Sequence, residues 1–330
     1  MKKLFKYCIS LLFYSLLLIW SGCEDEDVRE IYIDGEPIPD IEIFFPLGFY
    51  DAEPLMPKIS PDEKKLLFTG PASLPEWKGL WIMDLETQVK TLVHPDGRSA
   101  DWAPDSEWIA FNTGTQIFKI RSDGTELTQL TFDGSNFFPD WSPSNYIYYD
   151  SNEQSASGLN FIWRMDIDGA NKIRLSYTPE LGENRMPDCS FDGNQIAHIR
   201  YIGIDYPELF LMDNNGTSEI RLTYNNFDEL VPRLNNTKIA FYNSSGIYLI
   251  DSDGLNITRI LPNHLYNSDH AGDIKLYTAY PSWHPDGKHI VYEHFKIARS
   301  KRIFDDTYVE GTIQFYKVNA DSASDISNLK

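Results

Sequence analysis

One short stretch constrains this chain more than any other: Pro281-Ser282-Trp283-His284-Pro285-Asp286-Gly287-Lys288-His289-Ile290-Val291-Tyr292. Trp283 closes a short run that stops at Pro285. Proline fixes φ, Asp accepts a local backbone hydrogen bond and Gly tolerates positive φ, so Pro-Asp-Gly is a turn. Ile290, Val291 and Tyr292 then give a β-branched and aromatic run. Strand, tight turn, strand is a hairpin signal.

The unit recurs. Copies begin at Pro57, Ala100, Pro139, Pro187, Pro232 and Pro281, at intervals of 43, 39, 48, 45 and 49 residues. Most are followed by a second half, an alternating apolar run into an Asp/Asn-Gly turn. Ile117–Ile120 with Asp123-Gly124 and Ile247–Ile250 with Asp253-Gly254 are examples. Each period therefore holds about four strands, and four strands per period of roughly 40–45 residues is the signature of a β-propeller. One sheet cannot bury both its faces alone; radial packing of blades does that. The expectation is an all-β, six-bladed β-propeller with four-stranded antiparallel blades.

The unit resembles the TolB-type, or PD40, propeller repeat, with its P-x-W-S-P-D-G-x-x-I-A-F pattern, over roughly residues 51–330. No copy carries the Gly-His and Trp-Asp pair of WD40 repeats. The copy at Pro139 lacks Asp-Gly, that at Pro232 lacks Pro-Asp, and that at Pro187 has Cys189 in place of Trp. The small N-terminal domain typical of TolB has no room here. The resemblance thus implies the scaffold class and not a TolB role.

Residues 1–22 carry Lys2, Lys3 and Lys6, an apolar core from Leu11 to Trp20, and Ser21-Gly22 before Cys23. These are signal-peptide flanks around a stretch short for a membrane span. The stretch resembles a bacterial lipoprotein signal, which implies cleavage before Cys23 and a lipid on its thiol. The expected address is the cell envelope, as an outer-membrane lipoprotein, periplasmic or surface-exposed. Glu24–Asp27 is either a solvated linker or an export tag of the kind that follows the lipidated Cys in surface lipoproteins. Residues 23–50 read as an acidic tether, with a strand at Ile41–Phe45 placed to close the ring.

The formal charge is −20, and loss of the three signal lysines takes it to −23. Phosphate binding needs a positive surface, so nucleic acid is not an expected partner. Such acidity keeps a protein soluble, and a monomer is expected. With Cys8 removed and Cys23 acylated, Cys189 has no internal disulfide partner.

Strand parity places the short turns on one face of the wheel and the longer segments on the other. The latter are Thr69–Gly79, Asp150–Asn160, Ser176–Met186, Pro262–Tyr280 and Glu293–Thr312. Loops on a rigid scaffold carry function more often than turns do. Five of the seven histidines lie between residues 264 and 294, and Lys296, Arg299, Lys301 and Arg302 form the densest basic cluster. His264, His270, His284, Lys296, Arg299 and Arg302 are therefore the candidate ligand-binding set, suited to an acidic ligand. No His-x-His pair or fixed-spacing metal motif is present, and no cofactor or catalytic residue is assigned. Asp166–Gly169 and Asp251–Gly254 lack the glutamate of a calcium loop and read as hairpin turns.

Two functions stand. The first is a membrane-anchored binding or scaffold protein for an envelope protein or an acidic glycan, without chemistry of its own. The second is a carbohydrate-active enzyme resembling oligogalacturonate lyases, propellers of similar repeats with a histidine-rich metal site, using the rim of the last blade.

Overall fold

The computed structural model describes residues 36–37, 43–45, 55–70, 75–177, 182–202, 206–225, 227–262, 264–266, 274–301 and 307–320. The signal segment, Cys23 and the acidic tether lie outside the described residues.

Within Glu36–Lys330 the repeats fold as six antiparallel sheets. Blade one is Lys58–Ile59, Lys65–Gly70, Gly79–Asp84 and Lys90–His94. Blade two runs Arg98–Trp102, Trp108–Thr113, Gln116–Arg121 and Thr128–Gln129. Blade three has Asn136–Trp141, Tyr146–Ser151, Phe161–Asp166 and Ile173–Arg174. Blade four has Asn184–Cys189, Gln195–Tyr201, Pro207–Asp213 and Ile220–Arg221. Blade five has Leu230–Leu234, Lys238–Asn243, Gly246–Asp251 and Thr258–Pro262.

Blade six is built from Ile274–Trp283, His289–Lys301 and Thr307–Asn319, with His264–Tyr266 added along the first of them. Its outer edge is paired by N-terminal residues: Ile43–Phe45 runs against Ile313–Gly311, and Glu36–Pro37 against Lys317–Tyr316. The expectation of loops over Pro262–Tyr280 and Glu293–Thr312 needs correction. Most of both spans is strand, because 274–279 and 292–301 contain neither Gly nor Pro to break the ladder.

The core explains why the blades form a wheel. Six buried apolar clusters occupy the described residues, and each joins two neighbouring blades. Leu67 and Leu80 of blade one meet Trp102 and Phe111 of blade two. Ala240 and Ile247 of blade five meet Trp283 and Ile290 of blade six. Leu55, Leu66 and Phe68 of blade one meet Ala279 and Val291 of blade six, which closes the ring. The motif tryptophan is thus an interblade wedge with a polar handle. Trp102 Nε1 donates to Lys58 O at 3.1 Å and Trp283 Nε1 to Arg233 O at 2.8 Å, both on the preceding blade. Trp283→Phe keeps most of the ring and strands the Arg233 carbonyl. It is expected to cost about 1–2 kcal/mol, read as a lower urea midpoint with unchanged slope.

The first strands of blades two to six carry a bulge where φ turns positive, at Ser99, Phe138, Met186, Val231 and Tyr280, and Met56 has positive φ just before that of blade one. These six residues occupy equivalent positions, two before the residue that precedes the Trp position. The bulge bends those innermost strands at the same level.

Candidate functional site

The residue before the Trp position is polar in every copy, and it is the one that faces the axis. The column reads Lys58, Asp101, Asp140, Asp188, Arg233 and Ser282. All six line a central cavity of about 340 Å³, ringed near the turns by Pro61, Pro104, Pro143, Phe191 and Pro285.

The ring is a closed charge network. Lys58 Nζ lies 2.6 Å from Asp101 Oδ1 and 3.9 Å from both Asp140 Oδ1 and Asp188 Oδ1. Arg233 Nη1 donates to Asp188 Oδ1 at 3.0 Å. The other oxygen of each aspartate staples the next blade. Asp101 accepts the Trp141 N–H at 2.7 Å, Asp140 that of Cys189 at 2.8 Å, and Asp188 that of Leu234 at 2.7 Å. Burial, then repulsion from Asp188 and Asp101, raises the Asp140 carboxyl well above the usual range. Burial raises Asp188 too, against the pull of Arg233 and Lys58. Both shifts favour the protonated form of the aspartates crowded at the axis, where Lys58 and Arg233 supply the positive charge. Burial, with Asp140 alongside, also pushes the free Cys189 thiol up, so it packs without reacting.

The face opposite the short turns carries a second cavity of about 680 Å³. Its walls run from Thr69 of blade one through Arg98, Thr113, Phe137 and Phe138 to Arg185 of blade four, with Asp96 among them. The Arg185 guanidinium lies 5.7 Å from the ring centres of both Phe137 and Phe138. Its nearest carboxylates in ion-pair range, Asp150 and Glu183, are each 3.8 Å away, and its buried Nε makes no hydrogen bond. Arg98 is exposed at the same cavity. Beneath it, Asp150 is fully buried. It accepts from Asn160 Nδ2 at 2.8 Å and from the Met186 N–H at 3.0 Å, and burial raises its pKa to about 7. Glu293 plays the same part between blades six and one. It accepts the Met56 N–H, and burial holds its carboxyl well above the usual range.

The residues singled out from sequence divide. His264 and Lys296 fall in one cross-strand row, since both pair with Leu276; Arg299 lies three residues further along its strand. Lys296 and Arg299 belong to the strand His289–Lys301 and not to a loop. His284 follows the opposite end of Ile274–Trp283, eight residues beyond Leu276, or roughly 26 Å at the usual strand rise. It shares no site with His264 and meets Asp286 and His289 instead. His270 and Arg302 lie outside the described residues. Arg185, Arg98 and the axial column were not singled out. Aligning the six copies and reading down the column before the Trp position reveals Lys58, the aspartates and Arg233.

No family model matches the sequence. Curated proteins match in short segments. A dipeptidyl-aminopeptidase B of Talaromyces stipitatus is 31% identical over 77 residues, 21% of this chain and 9% of that protein. One of Neurospora crassa is 32% identical over 116 residues, 32% of this chain and 12% of that protein. The aligned part is thus about a tenth of those relatives' length. Among solved structures, one described as TolB from Agrobacterium tumefaciens superposes with a TM-score of 0.58 at 19% identity, over 83% of this chain and 90% of that one. A prolyl endopeptidase gives 0.51 at 10% identity, over 78% of this chain and 49% of that one. These likenesses concern the fold. With the repeat, the six closed interfaces and the superposition in hand, the chain folds as a six-bladed β-propeller similar to that of TolB.

Proposed function

We propose that the protein is an envelope binding protein that takes an acidic polypeptide segment of a partner into the cavity of blades one to four. One observation carries this: Arg185 is held against two aromatic rings at the cavity wall with its Nε unsatisfied and its nearest ion-pair carboxylates at 3.8 Å. An arginine so placed is preorganised for a planar, bidentate carboxylate. Arg98 adds a second cation, and the phenyl rings add apolar surface beside it. The signal-like start and Cys23 support delivery to a membrane leaflet through a lipid.

The test is capture from envelope extract on the immobilised protein. Wild type is expected to retain a partner that Arg98→Ala/Arg185→Ala loses, with a drop in affinity of at least tenfold. A partner retained equally by both proteins, or none at all, overturns the reading. The separation of His284 from His264 along the blade favours the binding reading over a lyase built on those two histidines.

A further inference from the structure

Blade six departs from its sisters at two positions of its first hairpin. The residue after the Trp position is Ser60, Ala103, Ser142, Ser190 or Asn235 in the other blades, and His284 here. The residue opening the second strand is Lys65, Trp108, Tyr146, Gln195 or Lys238 elsewhere, and His289 here. In blades one and four the serine Oγ at the first position donates to the turn aspartate, Ser60 to Asp62 and Ser190 to Asp192, each at 2.6 Å. In blade six both departures are imidazoles, and both converge on one oxygen of Asp286. Its Oδ2 lies 3.1 Å from His284 Nδ1 and 2.6 Å from His289 Nδ1.

The frame is rigid. His284 N donates to His289 O and Gly287 N to His284 O, both at 2.9 Å. Asp286 Oδ1 accepts the N–H groups of Lys288 and His289 at 2.8 and 3.1 Å, which fixes the carboxylate and leaves Oδ2 to the histidines. His284 Nδ1 also accepts the Asp286 N–H at 3.3 Å. His284 Nδ1, Asp286 Oδ2 and His289 Nδ1 thus gather three donor atoms within 4.8 Å of one another, and a cation seated among them would take over the His284 Nδ1 lone pair from the Asp286 N–H.

The sizes agree. Metal–nitrogen and metal–oxygen bonds of about 2.1 Å set neighbouring donors roughly 3.0–3.4 Å apart. The His284–Asp286 distance already fits, and a small turn of the partly exposed His289 ring opens the other. Among the described residues this is the one trio of His, Cys, Asp or Glu so gathered.

We propose that His284, Asp286 and His289 form a binding site for a divalent transition-metal ion of the zinc class, on the short-turn face of blade six. Two imidazoles and a carboxylate suit Zn²⁺, Cu²⁺, Ni²⁺ or Fe²⁺ over Ca²⁺ or Mg²⁺. The His289 and Asp286 side chains are 29% and 28% exposed, so the remaining coordination positions face solvent. They take water or a donor atom from a molecule docked at this rim. The site is independent of the arginine cavity, which lies on the opposite face.

The test is calorimetric titration of Zn²⁺ into the full chain at pH 7.5, with Co²⁺ visible absorption as a second readout. One equivalent is expected to bind. His284→Ser and His289→Lys, which install residues used by sister blades, should each weaken it at least tenfold, and together abolish it along with the Co²⁺ band. His264→Ala/His270→Ala/His294→Ala should leave it intact, which separates this site from the other histidines of blade six. Binding should weaken as pH falls, because the ligands must shed protons. Absence of Zn²⁺ binding by folded wild type, or a full equivalent retained by the His284→Ser/His289→Lys protein, overturns the assignment.

Discussion

Lys58→Met should unfold this protein at a markedly lower temperature, with a loss of about 3–5 kcal/mol at pH 7.5. The lysine side chain is 10% exposed and reaches all three axial aspartates. Methionine fills similar volume but leaves those carboxylates facing one another, with Arg233 alone to offset them. Buried charge left without its counter-ion is among the few single changes that cost this much. For a domain of this size the loss reads as a fall in Tm of roughly 10 °C. Adding Asp101→Asn should recover part of it, since the amide oxygen can still accept the Trp141 N–H while one negative charge is gone. The deficit should also shrink at pH 5, where the aspartates take up protons more readily. A Lys58→Met protein melting within a degree or two of wild type would show that the ring is not what holds the axis.

The second large effect is a stability maximum on the acid side of neutrality. Burial raises Asp150 and Glu229 to about 7 in the folded protein, and pushes Asp140, Asp188 and Glu293 upward. Unfolded, all titrate near 4. Between about pH 4 and 7 the folded chain therefore binds more protons than the unfolded one, and stability rises as pH falls through that window. Asp150 alone, moved by about three units, corresponds to on the order of 4 kcal/mol across it. Easing of the self-repulsion of a −20 chain acts in the same direction. Below about pH 4 the trend reverses. Glu219, held near 2 by hydrogen bonds from His198 and Arg200 that outweigh its desolvation, then loses the charge those partners stabilise. Thermal melts should give a Tm at pH 5 at least about 5 °C above that at pH 7.5. A flat or rising profile toward alkali would contradict the upward displacement of these carboxyls in the fold.

Much of the architecture is local chemistry, and that is why it reads from sequence. Pro-Asp-Gly turns and the apolar runs after them specify hairpins without reference to anything distant. The Trp-position residues sit at six interblade seams because the pleat sends alternate side chains to opposite faces. Blade six misled because Glu293–Lys301 interleaves lysine and arginine with Phe295 and Ile297. Charge density drew the reading toward a loop, while the missing Gly and Pro spoke for strand. The candidate site was less legible. Arg185 and Arg98 matter through Phe137, Phe138 and Asp150 on a neighbouring blade, partners tens of residues away. His284 and His289 were visible as residues, yet their pairing on Asp286 depends on how one hairpin closes.

The seam of blade six, where Ile43–Phe45 lies against Ile313–Gly311, sets the order in which the protein can assemble. Five sheets are each made from one contiguous piece of chain and can form as that piece becomes available. The four strands of the sixth are contiguous too, but its outer edge waits for Ile43–Phe45 and Ile313–Gly311, some 270 residues apart, to meet, a search whose entropic toll grows with the span between them. The clasp is therefore fastened last, and a chain interrupted before residue 307 is left as an incomplete arc with an unsatisfied β-edge open to any passing strand.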